Sequence, residues 1–468
     1  MKIRNKPNWN LEMIGVILAL AWPTMLEQLM QTAVQYIDTA MVGALGTYAT
    51  AAVGATTTVN WLISSTISAL GVGFLSFIAQ AYGADDRETA SKAVAQLVMV
   101  TVVTGLCFTA LTVGVSGMVP RWMQVDAAIR PLASSYFLVL YLPMLPRAAI
   151  ILFGTALRAA GDTKTPMKVG ATVNLVNIVL NFLLIYPSRP VRLFGMGFTL
   201  PGAGMGVVGA AAASAAAFTI GGIQITYVLW HHRLISPKGA QFRPEMTILK
   251  PCMKVAFPNM LQRFGTSLGY VAFASMINSL GEVATAAHTV ANTVESAFYI
   301  PGYGMQTAAA TLAGNAYGAR DRRRMRDLAG MFIPLEMGLM LLSGGALFAA
   351  APHLVGIFSD NPLVIDLGTT VLRMVALSEP FYGFSIILEG IMMGVGDTKR
   401  PFLYNVAGMW GVRIVGTFFC TQILGMGLVS AWACMIAHNV LLFAVYLICY
   451  LRGSWNPLEK PTKYTKMT

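Results

Sequence analysis

The chain has 468 residues, of which 56% are hydrophobic and only 11% are charged, and its formal net charge is +12 at pH 7. Soluble globular domains carry about 25% charged residues, so this composition, with a mean hydropathy of +0.64, excludes a soluble protein. The five cysteines lie in or next to apolar runs and form no C-x-x-C pair, which argues against a disulfide framework or a cysteine-based metal site.

Apolar stretches long enough to cross the hydrocarbon core of a bilayer recur along the whole chain. They predict an all-α membrane protein with 12 transmembrane helices, here called spans 1 to 12. The first apolar stretch lacks a small-residue cleavage site, so we expect it to be part of the fold and not a cleaved signal peptide. The spans are predicted at about 12–40, 48–79, 92–119, 132–158, 166–187, 205–230, 250–278, 284–314, 328–352, 364–394, 401–424 and 426–451.

The second half of the chain repeats the first at a distance of 235 residues. The segment AYGADDR at 81–87 returns as AYGARDR at 316–322 (316 − 81 = 235), and GDTKTP at 161–166 returns as GDTKRP at 396–401. A repeat of this length indicates a duplicated domain, since solenoid units are about 20–50 residues long. Six spans in each half begin and end on the same side of the membrane, so the halves are predicted to be parallel repeats.

The register of the repeat changes once, in a loop between spans 5 and 6. Gly204-Met205-Gly206 pairs with Gly425-Met426-Gly427 at an offset of 221, so the first half has 14 extra residues (235 − 221). They fall at 187–201, which we expect to be a loop on the outer side, where insertions are tolerated.

The repeat predicts two homologous six-helix lobes. The N-terminal lobe is expected at residues 1–230 and the C-terminal lobe at 250–451, followed by a cytoplasmic tail at 452–468. Between the lobes, residues 231–249 are polar and contain Pro and Gly, as expected of a hinge-permissive cytoplasmic linker.

Lysine and arginine predict the orientation of the spans. Of the basic residues outside the predicted spans, 23 fall on the side of both termini and only 4 on the other side. By the positive-inside bias both termini are cytoplasmic, and the protein is expected in a bacterial cytoplasmic (inner) membrane. Basic loops such as 320–326 are explained by anionic membrane lipids as partners, so no nucleic-acid partner is predicted.

Motifs for common enzymatic chemistry are missing from the sequence. Residues 204–209 match G-x-G-x-x-G, but they open an Ala-rich membrane helix, where small residues favour close helix packing. The sequence contains no P-loop, H-E-x-x-H or G-x-S-x-G motif. We therefore predict that the protein is not an enzyme and needs no cofactor.

Ionisable residues inside membrane spans are costly and usually mark a functional path. Asp38 in span 1 is the strongest candidate, because an acid in apolar surroundings can hold a proton or stay ionised around a cation. Glu27 lies 11 residues earlier, close to three helical turns, so both acids are expected on one face of the helix. An Asp that caps a helix end is the alternative interpretation of Asp38.

Span 5 offers a run of amides at Asn174, Asn177 and Asn181. The last two are four residues apart and so share one face of the helix. Their oxygens could bind a hard cation such as Na⁺ or hydrogen-bond a protonated Asp. Interhelical hydrogen bonding without a role in transport is the alternative.

The remaining intramembrane charges are not mirrored between the halves. Arg147 aligns with Tyr382, while Glu295 and Arg413 in the second half could form a structural ion pair. We take Glu27, Glu295, Glu379, Glu389, Arg147 and Arg413 as candidates for substrate binding or gating. Glu336 and Arg373 lie nearer to predicted span ends or fit no pattern, and are left out.

Several short motifs together resemble the multidrug and toxic compound extrusion (MATE) transporters, in particular the prokaryotic NorM- and DinF-like members, over nearly the whole chain. They are Pro23, Asp38-Thr39-Ala40-Met41-Val42-Gly43, Ala81-Tyr82-Gly83, Gly161-Asp162-Thr163-Lys164, Ala286-Ala287-His288, Ile300-Pro301 and Gly396-Asp397-Thr398-Lys399.

The resemblance implies a secondary active antiporter that exports amphipathic, often cationic drugs or toxic compounds in exchange for H⁺ or Na⁺. Asp38 matches the acid of span 1 in this family, and Asn177 and Asn181 resemble its polar pair in span 5. These three residues are therefore the expected ion-coupling site, and the metal ligands if Na⁺ is the coupling ion. Where NorM-type members carry acids in spans 7 and 10, this chain has Arg263 and Tyr382.

The expected partners are small amphipathic substrates and membrane lipids, and the protein is expected to function as a monomer. The alternative function is a lipid-linked oligosaccharide flippase of the same broad superfamily. A flippase would favour a strongly cationic interior to hold pyrophosphate, whereas here arginines are mixed with acids. An intramembrane enzyme is disfavoured by the missing motifs.

Overall fold

The computed structural model describes residues 11–123, 125–193 and 196–459. In this part of the chain the helices follow the predicted spans in order, which confirms the all-α membrane fold. Spans 1 to 6 are Leu11–Gly43, Thr47–Gly83, Arg87–Val115, Arg130–Tyr141 with Met144–Ala159, Lys164–Leu184 and Gly206–Trp230. Spans 7 to 12 are Met246–Asn278, Glu282–Gly318, Arg322–Phe358, Pro362–Ala376 with Glu379–Gly394, Lys399–Ile423 and Leu428–Leu451.

Eight single helices and two bent helix pairs are long and apolar enough to cross a membrane. Spans 7 and 8 have 33 and 37 residues and are long enough, but they are more polar. The bent pairs are spans 4 and 10, with angles of 50° and 52°. Pro143 and Pro380 lie at the two breaks, where a proline ring prevents the helix from continuing regularly.

The duplication is visible in the backbone conformation of the turns. Left-handed residues, which are uncommon outside glycine, occur in pairs that keep the offset of the sequence repeat. The pairs are Gly46 and Gly281 (φ 108° and 104°), Asp85 and Arg320 (56° and 53°), Gly161 and Gly396 (85° and 87°), and Gly204 and Gly425 (64° each).

A β-hairpin occupies the loop between spans 5 and 6. Strand β1, Pro187–Leu193, pairs antiparallel with strand β2, Met196–Ala203. The hairpin contains the extra residues of the first repeat, which the sequence predicted only as a loop.

The described residues divide into two compact units that do not coincide with the two repeats. Unit 1 contains the described residues up to Gln28, Leu75–Asp86 and those from Lys250 onward, and unit 2 contains Leu29–Phe74 and Arg87–Leu249. The lobe boundaries therefore remain a prediction from the sequence. Much of the predicted tail and residues 1–10 lie outside the described residues, and the cytoplasmic location of the termini also stays a prediction.

In unit 1, the end of span 2 crosses span 8 without room for side chains. A Cβ on Gly83 would overlap the carbonyl oxygen of Asn315, and a Cβ on Gly318 would overlap that of Gln80. Both members of this reciprocal contact are 235 residues apart (318 − 83 and 315 − 80), so the crossing relates the two repeats. Glycine at both positions lets the backbones touch.

In unit 2, the linker is bonded to span 3. The side chain of Gln96, which is fully buried, donates to the carbonyl of Arg243 at 2.7 Å and accepts from the backbone N–H of Glu245 at 3.0 Å. Ser91 adds a hydrogen bond to the carbonyl of Ser236. The segment that the sequence presents as hinge-permissive is thus anchored along most of its length.

Candidate functional site

Asp38 in span 1 and Asn181 in span 5 are joined by a hydrogen bond within unit 2. The Nδ2 of Asn181 donates to Oδ1 of Asp38 at 2.6 Å. Asp38 is partly buried and Asn181 is fully buried, although both lie in membrane spans. The contact brings together two of the three residues predicted to couple the ion.

Asn177 extends this contact into a polar chain. Its Oδ1 accepts from Asn181 at 3.1 Å, and its Nδ2 donates to Oγ of Ser214 in span 6 at 2.9 Å. The Oδ1 of Asn181 is buried and has no hydrogen-bond partner among the described residues. We call Asp38, Asn177, Asn181 and Ser214 the Asp38 site; Ser214 is a member that the sequence analysis missed, because a single Ser in an Ala-rich helix gives no signal.

Arg147 is a buried cation in unit 2 that is held by neutral groups. Its Nη2 donates to Oδ1 of Asn60 at 2.6 Å and to Oγ of Ser64 at 2.8 Å, while Nη1 has no partner in the described part. The guanidinium lies 5.5 Å from the ring centre of Tyr141 and 4.9 Å from that of Phe218. Aromatic faces attract a cation but do not neutralise its charge.

Glu389 in unit 1 is held by amides and lies near a cation. Oε1 accepts from Gln262 at 2.7 Å and Oε2 from Asn405 at 3.3 Å. Arg263 donates to Oδ1 of Asn259 at 3.2 Å and lies within electrostatic range of Glu389. This predicted candidate is therefore part of a hydrogen-bonded network.

Glu295, Glu336 and Glu379 form a second group of acids in unit 1. Glu379 lies within electrostatic range of the other two, and its Oε2 has no partner among the described residues. Glu336 is fully buried, and neither of its carboxylate oxygens has a partner in this part of the chain. Sequence analysis set Glu336 aside, although its place inside an apolar span was a sufficient signal.

Glu336 packs directly against helix backbone. A Cβ on Gly302 in span 8 would lie 2.5 Å from its Oε1, and one on Gly383 in span 10 would lie 3.2 Å from its Cγ. Two glycines thus make room for a carboxyl group in the interior of unit 1.

A cluster of tyrosines lies near these acids, and the sequence analysis did not identify it. The hydroxyls of Tyr303 and Tyr382 are 2.8 Å apart. The ring of Tyr299 packs edge-on against both at 6.0 Å, and Tyr299 is within electrostatic range of Glu295 and Glu379. Aromatic faces beside carboxyl groups are chemically suited to organic cations.

Arg413 does not form the ion pair with Glu295 that the sequence suggested as one interpretation. Its guanidinium lies 4.2 Å from the ring centre of Phe273 and 4.8 Å from that of Tyr270. Glu295 is within electrostatic range of it, but no ion pair joins them within 4.0 Å. Arg413 belongs to a π-helical turn, Met409–Ile414, a conformation often found at functional sites.

The other intramembrane charges are placed apart from these groups. Glu27 is buried in unit 1, whereas Asp38 belongs to unit 2. Arg373 is exposed and lies against the ring of Phe348. Among the described residues, no group of three or more His, Cys, Asp or Glu is arranged to hold a metal ion. The Asp38 site, with one acid and two amides, is of a different composition.

A family model described as MatE matches the chain twice, at residues 23–183 and 258–419. The two matches begin 235 residues apart (258 − 23), which is the offset of the sequence repeat. Together they cover more than half of the chain.

Curated relatives match along most of their length. The chain is 26% identical over 439 residues to a protein named probable multidrug resistance protein NorM of Thermotoga maritima, covering 94% of this chain and 92% of the relative. It is 24% identical over 443 residues to the protein of the same name from Neisseria meningitidis serogroup B, covering 91% of each.

Solved structures share the fold. A MATE crystallised in complex with MaD3S has a TM-score of 0.87 at 23% identity, covering 95% of this chain and 97% of that one. A transporter of the MOP superfamily from Pyrococcus furiosus, described as having a binding pocket of reverse polarity, has a TM-score of 0.86 at 23% identity, with 95% and 96% covered.

Proposed function

Because the chain belongs to the MatE family, we propose that it is a secondary active antiporter that exports amphipathic, often cationic drugs or toxic compounds in exchange for H⁺ or Na⁺. The names of its relatives support an export function, since both are called probable multidrug resistance proteins. The proposed location is a bacterial cytoplasmic membrane, in keeping with the bacterial relatives and the many apolar spans.

The observation that carries the proposal is the bond between Asp38 and Asn181. An ionised carboxylate in a membrane span costs several kcal/mol unless a proton or a cation neutralises it. Asn181 bonds only Oδ1 of Asp38, and this leaves Oδ2 for the coupling ion. The acid is thus positioned to exchange an ion, and no basic side chain is bonded to it in the described part.

The Asp38 site has the oxygen atoms that either coupling ion requires. A proton on Oδ2 of Asp38 could be shared with the amide oxygen of Asn181, which is buried and lacks a donor. Na⁺, a hard cation, could instead bind Oδ2 together with that same amide oxygen. Asn177 and Ser214 hold the Asn181 amide in place in both cases.

Binding of the ion and release of the drug would be linked through this carboxylate. A neutralised Asp38 no longer attracts a cationic compound within the first half of the chain, so ion entry would favour drug release. The tyrosines and acids of unit 1 would contribute to substrate binding or gating. We expect the protein to act as a monomer.

Transport in everted membrane vesicles tests the proposal. A fluorescent cationic drug is added, and a pH gradient or a Na⁺ gradient is imposed separately. Drug uptake into the vesicles driven by one gradient, and lost in vesicles without the protein, is the expected result. Uptake that depends on ATP alone, or no uptake of any amphipathic cation under either gradient, contradicts the antiporter.

A further inference from the structure

The Asp38 site has a counterpart of opposite charge in the second repeat. The 235-residue register aligns Asp38 and Asn177 with Phe273 and Val412, and the next residue after Val412 is Arg413. Its guanidinium lies 4.2 Å from the ring centre of Phe273. The position equivalent to an acid in the first repeat is thus in contact with a fixed cation in the second.

Arg413 is nearly enclosed and poorly bonded. It is 4% exposed, its Nε is buried without a hydrogen-bond partner, and no carboxylate is within ion-pair distance in the described part of the chain. Burying an unpaired charge is costly, and a buried donor without an acceptor adds to that cost. The two aromatic rings reduce the cost, but they offer no acceptor to the N–H groups.

Three neighbouring polar groups are also buried without partners: Thr417 Oγ1, Trp432 Nε1 and His288 Nδ1. Thr417 follows Arg413 by four residues on span 11. The ring of His288 packs edge-on against Phe273 at 5.6 Å and against Trp432 at 5.8 Å. We call Arg413, Thr417, Trp432 and His288 the Arg413 cluster; all four belong to unit 1.

The chemistry of the Arg413 cluster selects an acceptor with negative charge. Arginine and tryptophan can only donate hydrogen bonds, while Thr and His can donate as well as accept. The cluster therefore has an excess of donors around a permanent positive charge. A water molecule can accept some of these bonds, but only an anion also neutralises the guanidinium.

We propose that the Arg413 cluster binds a small, singly charged anion. Aromatic rings enclose the cluster, so its ligand is of the size of a halide or of the carboxylate end of a larger molecule. Arg413 supplies the charge, and the indole N–H of Trp432 and the hydroxyl of Thr417 supply neutral hydrogen bonds. This site does not depend on the proposed transport activity or on the Asp38 site.

Thermal unfolding of the purified full-length protein in nanodiscs tests the site. NaCl is exchanged for sodium gluconate at constant ionic strength, and the midpoint Tm is measured against chloride concentration. We expect a saturable rise in Tm, of roughly 2 °C or more at saturation, because a ligand stabilises the state that binds it. A Tm that is independent of chloride and of acetate overturns the proposal.

Trp432→Phe is the sharpest variant, since it keeps an aromatic ring and removes only the N–H donor of the indole. Losing one hydrogen bond to a charged ligand should raise the half-saturating chloride concentration by about 10-fold or more. Trp410→Phe is the matched control, because its N–H donates to the carbonyl of Gly265 and lies outside the cluster. Equal chloride responses in the two variants show a general salt effect and contradict the site.

Glu295→Gln separates the site from the simpler possibility that Glu295 is the counter-charge of Arg413. If the anion site exists, the wild-type protein responds to chloride, and Glu295→Gln responds at lower concentrations because a competing negative charge is gone. If Glu295 is the counter-charge, the wild type shows no response and a response appears only in Glu295→Gln. The second result overturns the proposal.

The two sources of the anion are distinguished by a parallel titration. Chloride that stabilises the protein without acetate doing so indicates a halide site. Acetate that acts as well as chloride indicates a site that also accepts the carboxylate of an organic molecule. Both results support a small-anion site at the Arg413 cluster.

Discussion

Asn181 donates a hydrogen bond of 2.6 Å to Asp38, although 143 residues separate the two in the sequence. The bond joins the first and fifth spans of the first repeat and fixes the orientation of a carboxyl group inside the membrane. The corresponding pair in the second repeat is Phe273 and Gly416, which cannot form such a bond. Ion coupling should therefore depend on the first repeat.

Asp38→Asn should abolish gradient-driven export while the protein still inserts and folds. The substitution keeps the size and polarity of the side chain but removes the group that exchanges a proton or binds a cation. Drug flux in everted vesicles at equal expression is the measurement. Asp360→Asn is the control, because Asp360 is exposed at the end of span 9 and should leave export intact. Wild-type flux in Asp38→Asn rules out the coupling role.

Asn181→Ala should weaken ion binding more than Ser214→Ala does. Asn181 bonds Asp38 directly, whereas Ser214 only bonds Asn177. Removing a hydrogen bond to a charged group costs about 1.5–3 kcal/mol, which corresponds to a rise of roughly 10- to 100-fold in the ion concentration that gives half-maximal flux. The concentration dependence of flux on H⁺ or Na⁺ measures this. Equal effects of the two variants would contradict the order of the polar chain.

Gly83→Ala should destabilise the protein strongly, and Gly318→Ala should do so to a similar extent. A methyl group at either position overlaps a backbone carbonyl of the crossing helix, which cannot move as a flexible side chain could. We expect a loss of several kcal/mol, seen as a lower Tm in detergent. Gly338→Ala is the matched control, since its added methyl group meets nothing within 4 Å and lies in a helix. A Gly83→Ala protein as stable as Gly338→Ala would show that the crossing is looser.

Gln96→Leu should release the linker from span 3. The change leaves the carbonyl of Arg243 and the N–H of Glu245 without their partner, at a cost of about 2–4 kcal/mol. The result should be a lower Tm and faster hydrogen exchange at residues 241–249. Gln241→Leu alters an exposed glutamine of the same linker and should change neither property. Unchanged exchange in Gln96→Leu would mean that other contacts hold the linker.

The stability of the protein should fall as the pH falls through the ordinary range of imidazole. Burial lowers the pKa of His232 below its usual value of about 6.5, and this effect outweighs the opposing attraction of Asp162, whose Oδ2 is 3.9 Å away. A depressed pKa means that the folded state binds fewer protons than the unfolded state. Stability is therefore present above about pH 6.5 and is lost below it. His232→Gln should reduce the decrease of Tm between pH 7 and pH 5, and an unchanged decrease would assign it to other groups.

The sequence allowed the spans and the Asp38 site to be predicted because both depend on the cost of placing polar groups in a membrane. An acid at 38 and amides at 177 and 181 stand out in apolar stretches, and the structure brings them together. The coupling role itself stays a prediction.

Partners of the other charges could not be predicted, because they depend on how each helix is rotated about its axis. Arg413 contacts the ring of Phe273 and forms no ion pair with Glu295, although either contact is compatible with the sequence. Glu336 and the tyrosine pair of Tyr303 and Tyr382 were missed for the same reason. The hairpin was missed because a proline-rich segment is typical of a loop.

The composition of unit 1 has a consequence for the synthesis of the protein. Residues up to Gln28 and Leu75–Asp86 belong to the same compact unit as residues from Lys250 onward. For example, the hydroxyl of Thr24 bonds the carbonyl of Gly304, 280 residues later. At about 5–20 residues per second, roughly 15 to 60 s pass on the ribosome before that partner emerges. The ends of spans 1 and 2 must wait in the membrane during this time, so a gene cut at the linker would yield two fragments that can complete their folding only together.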